Sequence, residues 1–293
     1  MAEVTALNAP LALPRLTDIR HTEILDQYLA LALQEDGAWT DVTSDILPRE
    51  SMGQAKMFSK VEGIFSGGII AERIFHLLDD SIQVKRLAHE GQEIKKGDLL
   101  LRAKGPLIGI LAAERTALNF VQRMSGVATA TRHMVDAVAG WKADLLDTRK
   151  TTPLWRALER HAVKCGGGKN HRFALDDMVM IKNNHADAVG GVARAIHLAR
   201  AHKPHLHLAA EARTLEEARE AAEAGADVIM LDNMRLPQIR RAVQMINHRA
   251  LVEVTGGVSL RNIASLASAG VDRISVGAIT HSAPSLDISL HLE

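Results

Sequence analysis

The chain has 293 residues and a mass of 31.8 kDa, with 47% hydrophobic and 24% charged residues, 21 Gly and 8 Pro. That composition excludes a disordered, collagen-like or low-complexity chain, and the length calls for two domains or one large barrel with additions. Thirty-five Lys or Arg balance thirty-five Asp or Glu and aromatic residues are 3%, so neither a basic excess nor a stacking platform points to nucleic acid.

A single cysteine, Cys165, forms no internal disulfide and no cysteine-based zinc cluster, which suits a reducing cytoplasm. The first fourteen residues carry Glu3 and no Lys or Arg, and no apolar run reaches the roughly 18 residues of a membrane span. Neither a signal peptide nor an anchor is expected.

In chain order, Ile24, Leu25, Tyr28, Leu29 and Ala32 recur three and four residues apart, which predicts an amphipathic helix over 22–35 ended by Gly37. From about 53 to 110, short apolar runs broken by glycine predict a small antiparallel sheet, interrupted by a helix around Ile69 to Leu78. From Glu114 to about Val138 there is no Pro and only Gly126, and Leu118, Val121 and the stretch from Ala128 to Val135 predict a long connecting helix.

Beyond residue 140 the rhythm becomes regular. Apolar runs recur at Ala143 to Leu146, Met178 to Ile181, Leu206 to Ala210, Val228 to Leu231, Leu251 to Val254 and Arg273 to Val276. Helices fall between them: Thr214 and Glu217 form a capping box opening Leu215 to Ala224, with Gly225 closing it, and Leu236 to Ile246 and Leu260 to Ala269 read alike. Six such units predict a parallel sheet, as a barrel in preference to an open sheet.

Each run ends in reactive or phosphate-binding groups: Asp147, Arg149 and Lys150, then Lys182 to His185, Glu211, Asp232 and Asn233, Thr255 to Gly257, and Ser275 and Gly277. In a β/α barrel the C-terminal strand ends converge on one mouth. Between Arg149 and Lys182 there are eight Lys or Arg against three acids in a chain of zero net charge, so the expected ligand is anionic. Arg forks match carboxylate or phosphate and Lys supplies point charges, a mixture suited to a ligand with both groups. An exposed basic helix over 154–164 accounts for Arg156, Arg160 and Lys164, but not for Arg149, Lys150 and Lys182.

The segment Gly166 to Arg172 is not a P-loop, because Asn170 follows Lys169 and Val163 stands where the first Gly belongs. Its glycines still let backbone approach a ligand and aim Asn170, His171 and Arg172. Thr255-Gly256-Gly257 and Ser275 to Gly277 follow the last two strands, where barrels hold phosphate. Glu211 and Asp232 fit Mg²⁺ or ribose hydroxyls, an acid/base pair, or counter-ions to the lysines, and the sequence leaves these open. The tract from His202 to His207 precedes a strand and reads as a loop. Cys165 has no evident base partner and reads as an inert thiol.

These motifs resemble the quinolinate phosphoribosyltransferase family over essentially the whole chain. The resemblance rests on Glu35-Asp36 with Trp39 to Asp45, Glu114 to Asn119 with Ser125 to Thr129, Asp147 to Pro153, Gly166 to Arg172, Lys182 to His185, Leu231 to Asn233, and His281-Ser282 through Asp287 to Leu290. It implies an N-terminal α/β sandwich over 1–128, with the tail 284–293 packed back on it, and an incomplete seven-stranded α/β barrel of TIM type over 129–283 as the catalytic domain. It also implies a cytoplasmic homodimer with shared active sites, extendable to a hexamer.

The implied activity is transfer of phosphoribosyl from phosphoribosyl pyrophosphate to quinolinate with decarboxylation, giving nicotinate mononucleotide, pyrophosphate and CO₂ for NAD biosynthesis. By resemblance, Arg115 from the partner subunit, Arg149, His171 and Arg172 hold the two carboxylates of quinolinate. Lys150 and Lys182 lie between the substrates and are catalytic together with Glu211 and Asp232. Those two carboxylates hold ribose hydroxyls and Mg²⁺, directly or indirectly. Thr255, Gly256, Gly257, Ser275 and Gly277 hold the 5′-phosphate, and no organic cofactor, membrane or nucleic acid is involved.

Four positions depart from the family pattern: Leu154 where Gly is usual, Asn183 for Asp, Ala209 for Glu and Thr255 for Ser. Alternatives are a sibling nicotinate phosphoribosyltransferase, a molybdate-transport-associated homologue, an aldolase-like barrel with Lys182 as Schiff-base lysine, and a phosphate-ligand binder without turnover. The number of cationic ligands favours a dianion, and the Gly166 to Arg172 segment disfavours the molybdate-associated branch.

Overall fold

The computed structural model describes residues 15–293. The first fourteen residues, which carry the expectation about a signal peptide, lie outside the described part. Leu25, Leu29 and Leu33 recur one turn apart with no solvent exposure, and they seat helix α1 (Thr22–Glu35). Gly37 follows it at φ 68°, a left-handed conformation that suits glycine and ends the helix where the sequence placed the end.

The predicted small sheet follows as β1 (Met52–Ser59), β2 (Gly63–Ile64), α2 (Gly68–Leu78), β3 (Gln83–Arg86), β4 (Glu93–Ile94) and β5 (Leu99–Pro106). In β1 the buried residues Ala55, Met57 and Ser59 alternate with more exposed ones, the period of a half-buried strand. The long connecting helix α3 (Leu107–Ala137) begins at Leu107, not near Glu114, directly after Pro106. Gly109 made this stretch read as strand. In the fold it serves close packing, because a Cβ there would sit 3.2 Å from Ile82 Cδ1 and 3.3 Å from Asp79 Cβ.

The second half alternates strand and helix, with two helices in succession after β7: β6 (Asp144–Leu146), α4 (Arg156–Cys165), β7 (Val179–Ile181), α5 (Asn183–Val189), α6 (Val192–His202), β8 (Leu208–Ala212), α7 (Leu215–Glu223), β9 (Val228–Asp232), α8 (Leu236–Ile246), β10 (Leu251–Thr255), α9 (Ile263–Ala267), β11 (Arg273–Ser275) and α10 (Ala278–His281). The Thr214 hydroxyl accepts from Glu217 N at 3.1 Å, so the predicted cap opens α7. The strands pair in parallel in the order β6-β11-β10-β9-β8-β7.

Among the described residues this sheet does not close. The seven strands implied by the resemblance are six strands and one bridge, Leu146 to Lys169, on the free edge of β6. Lys169 N donates to Leu145 O at 2.8 Å and Asp147 N to Lys169 O at 3.1 Å. After that single bridge the fully buried Asp147 carboxylate accepts from His171 N and Asn170 Nδ2, each at 2.7 Å. The chain is thereby turned out of the ladder, and the wall stays open towards β7.

The last strand, β12 (Ile288–Leu292), returns to pair antiparallel with β1, giving a sheet in the order β12-β1-β5-β3. The return crosses α3 at Gly126, where a Cβ would lie 2.0 Å from Pro284 O. Leu286 N donates to Gln122 O at 2.9 Å, and Arg123 Nη1 donates to Ala283 O at 2.6 Å. Nearby, Ser125 Oγ exchanges 3.0 Å hydrogen bonds with Ser66 N and O, and Ile64 N donates to Thr129 Oγ1 at 2.8 Å. The Ser125 to Thr129 motif therefore joins α3 to the sheet layer. The main apolar core, including Phe65, Phe75, Leu100 and Leu101, runs through both layers, and a small separate cluster of Ala209, Val228 and Met230 lies in the parallel sheet.

Gly126→Ala should destabilise the protein by about 1–3 kcal/mol or more through overpacking against the returning tail, read as a lower denaturant midpoint. Leu154 is 73% exposed at φ 66°, so its side chain gains little burial for a left-handed backbone. Leu154→Gly should raise stability by about 0.5–1 kcal/mol, and an unchanged or lower midpoint would count against that strain.

Candidate active site

Because all six strands of the second sheet run parallel, their C-terminal ends surround one cavity of about 740 Å³. The end of β6 supplies Thr148, Arg149 and Lys150, and the residues after β7 and β9 supply Lys182 and Asn233. Glu211 and Asp232 come from β8 and β9, and Thr255, Gly256 and Gly257 from the end of β10. Ser275 and Gly277 come from β11 and its turn, and the glycine segment in the open wall delivers His171 and Arg172. Of the residues expected at the mouth, Asp147, Asn170 and Asn183 to His185 do not line this cavity, and neither does Arg115, which is exposed on α3.

The cationic side is held ready by neighbours. Arg156 and Arg160, which the sequence allowed to be a solvated helix face, are half-buried and donate to Phe173 O and His171 O. Arg160 also lies 3.7 Å from Asp147. These bonds position the glycine segment. Arg172 Nη1 donates to Met178 O at 3.0 Å, while its Nε is buried without a partner, as is Arg149 Nε. Burial, reinforced by the Arg149 charge, holds the Arg172 guanidinium below its ordinary value. Two like charges side by side with idle donors give this wall the electrostatics and geometry that suit an anion.

Lys150 lies over Gly277, where a Cβ would come within 2.9 Å of Lys150 Cδ. Gly256 is left-handed at φ 84°, and a Cβ there would stand 2.4 Å from Asn233 Oδ1, so glycine keeps this turn close to the end of β9. Lys182 Nζ contacts Glu211 Oε1, and Asn183 N donates to Glu211 Oε2 at 3.3 Å. Asn183 thus acts here through its backbone. Asn233 Nδ2 donates to Asp232 Oδ1 at 3.2 Å. Two carboxylates on adjacent strands can bind hydroxyls or a hard cation.

Glu253 was not anticipated. It has no solvent exposure, accepts from Ser275 Oγ at 2.6 Å and places Oε1 3.3 Å from His171 Nε2. The other ring nitrogen, Nδ1, accepts from Arg172 N at 2.7 Å, so the proton of a neutral His171 sits on Nε2, facing Glu253. Ser275 commits its hydroxyl proton inward, away from any phosphate. The available signal was a charged residue inside the apolar run Leu251 to Val254, since a buried charge must have a partner.

An open α/β barrel with a basic mouth, two carboxylates and glycine turns defines a protein that handles anionic small molecules. The model of the quinolinate phosphoribosyl transferase C-terminal domain matches residues 127–291, and that of the N-terminal domain matches residues 41–125. A probable nicotinate-nucleotide pyrophosphorylase (carboxylating) of Bacillus subtilis is 40% identical, over 87% of this chain and 89% of the relative. The quinolinate phosphoribosyltransferase (decarboxylating) 2 of Nicotiana glauca is 40% identical, over 92% and 82%. The crystal structure of NadC from Streptococcus pyogenes superposes with a TM-score of 0.90 at 38% identity, over 96% of this chain and 99% of that one. The chain belongs to the quinolinate phosphoribosyl transferase family.

Glu253→Ala should leave the buried Ser275 hydroxyl unpaired and remove the carboxylate beside His171, costing about 1–3 kcal/mol of stability. It should also lower kcat/KM about tenfold or more by releasing His171. Turnover equal to that of the parent chain would show that Glu253 does not hold the ring.

Proposed function

We infer that this protein transfers the phosphoribosyl group of phosphoribosyl pyrophosphate to quinolinate, releasing pyrophosphate and CO₂ and leaving nicotinate mononucleotide for NAD biosynthesis. The observation that carries this reading is the pair of buried, unpartnered Nε–H donors of Arg149 and Arg172 on one cavity wall beside His171. Buried donors without partners call for a ligand, and two guanidinium forks suit two adjacent carboxylates.

Loss of pyrophosphate builds positive charge on the ribose carbon and negative charge on the leaving group. Glu211 and Asp232 face the first, and Lys150 and Lys182 the second. Lys182 keeps ammonium donors for the cavity beyond the one spent on Glu211, because its side chain remains 44% exposed. Two carboxylates, one already paired with a lysine, suit Mg²⁺ that arrives with substrate phosphates and keeps part of its water shell. Bound there, Mg²⁺ would neutralise the pyrophosphate. Once the pyridine nitrogen is alkylated, its positive charge stabilises the carbanion left by the departing carboxylate, so no organic cofactor is required. Thr255, Gly256, Gly257, Ser275 and Gly277 receive the 5′-phosphate in this reading, through backbone N–H groups and the Thr255 hydroxyl.

Residues 129–283 form the catalytic unit in this reading, since every residue lining the cavity falls between Thr148 and His281. Residues 1–128 with 284–293 form the other unit. The protein acts as a homodimer in which Arg115 enters the partner's mouth, with a hexamer as a further assembly. Supporting this, Arg115 is exposed on α3, and Trp39, Val42, Ile46 and Met52 are apolar and exposed on the same layer. No described helix is long and apolar enough to cross a membrane. A cytoplasmic location belongs to the proposal.

The purified protein should turn over quinolinate with phosphoribosyl pyrophosphate and Mg²⁺, releasing one CO₂ per nicotinate mononucleotide, and should leave nicotinate unreacted in a parallel assay. Turnover of nicotinate alone would make it the sibling transferase, and silence with both would indicate a binding role. Arg172→Ala should lower kcat/KM for quinolinate about 10- to 100-fold, the loss of a charged hydrogen bond in a buried site. Asp232→Ala should lose turnover by orders of magnitude while retaining most quinolinate affinity.

A further inference from the structure

Behind the mouth, three side chains with metal-ligating atoms meet. His161 and Cys165 lie one turn apart on α4, and Glu90 comes from the turn between β3 and β4. Cys165 therefore does have a partner. Its Sγ is 3.4 Å from His161 Nε2 and 3.6 Å from Glu90 Oε2, and Oε2 is 3.0 Å from the same Nε2.

This is not the geometry of a nucleophile-base-acid relay, in which nucleophile and acid bind opposite nitrogens of the ring. Here both converge on one nitrogen and on each other. Tetrahedral zinc, with bonds of about 2.0 Å to nitrogen and oxygen and about 2.3 Å to sulfur, holds such ligand atoms roughly 3.3–3.6 Å apart. The triangle formed by Glu90, His161 and Cys165 nearly matches one face of that tetrahedron. Thiolate, imidazole and carboxylate together select zinc over hard cations.

We propose that Glu90, His161 and Cys165 form a binding site for Zn²⁺ that joins the sheet layer to the glycine segment of the barrel. The inference does not depend on the proposed activity. Ser66 Oγ, 3.1 Å from Glu90 Oε2 and 3.4 Å from Cys165 Sγ, or a water, takes the fourth position. The carboxylate is fixed from behind by Gly67 N, at 3.0 Å from Oε2 and 3.1 Å from Oε1, and by Ile69 N at 3.4 Å. A cavity of about 250 Å³ reaches His161 from the surface and gives the ion a route.

Without metal, burial disfavours the charged His161, but the Cys165 and Glu90 contacts outweigh it and raise the imidazole to about 9, with Glu90 lowered to about 2. Binding displaces the imidazolium proton, so affinity rises with pH. Gly91 sits where a Cβ would be 3.1 Å from Cys165 O, and Gly166 begins directly after Cys165. An ion here would pin the end of α4 from which the segment carrying His171 and Arg172 departs.

Titration of the whole chain with Co²⁺, followed by displacement with Zn²⁺, tests the proposal. Cys165 is the only cysteine, so a thiolate-to-cobalt charge-transfer band reports this site and no other. One equivalent should produce the band, Cys165→Ser should abolish it, and His161→Gln should weaken binding at least about tenfold. Zn²⁺ should also protect Cys165 of the parent chain from alkylation, a readout that needs no variant. A folded parent chain without the band and without protection overturns the proposal. So does metal binding of equal affinity in Cys165→Ser, which would instead report the exposed His202, His205 and His207 loop.

Discussion

The fully buried carboxylate of Asp147 accepts from His171 N and Asn170 Nδ2, and the ladder of parallel strands stops where it does so. Burial pushes this carboxyl above its ordinary range, while the His171 amide, Arg160 and Asn170 oppose the shift. The consequence is architectural. A seventh strand continuing past Lys169 would place the following residues in the wall, alternating inward and outward. The clasp on Asp147 instead folds them over the opening, and His171 and Arg172 reach the cavity by a route that no regular strand provides.

The charge in that cavity is a local property of a chain with zero net charge. Parallel strands place Arg149, Lys150 and Lys182 on one rim, and the segment turned by Asp147 adds Arg172. Glu211 takes up part of Lys182, but Arg149 Nε and Arg172 Nε stay buried and unpartnered, so the protein stores unsatisfied donors where a ligand can satisfy them. Glu253 has the complementary part. It accepts from the Ser275 hydroxyl and lies 3.3 Å from the inner nitrogen of His171, beneath the exposed cations.

The two layers are joined at the back. Helix α3 runs beneath both, and Gly126 lets the returning tail cross it at backbone distance before β12 completes the antiparallel sheet. Arg123 ties that return to buried Glu159, whose other oxygen accepts from Thr152 N at 3.0 Å. The loop carrying Arg149 and Lys150 is therefore braced by the element that holds the tail, and cavity geometry and chain return are mechanically linked.

Much of this was legible in the sequence. Apolar runs at β6 to β11, the Thr214 to Glu217 cap and the left-handed Gly37 follow from local periodicity and backbone preference, which need no partner elsewhere in the chain. The cluster of strand-end residues was legible for the same reason, since parallel βαβ units bring all such ends to one side. Local pattern misread Leu107 to Ile110, because an apolar run containing glycine fits strand or helix equally and only packing against Ile82 and Asp79 selects helix. The opening left in the barrel wall, the register of β12 on β1, the burial of Glu253 and the meeting of Glu90 with His161 and Cys165 were decided by tertiary structure alone. Each joins residues far apart in the chain, and sequence periodicity describes which face of an element is buried, not which distant element covers it.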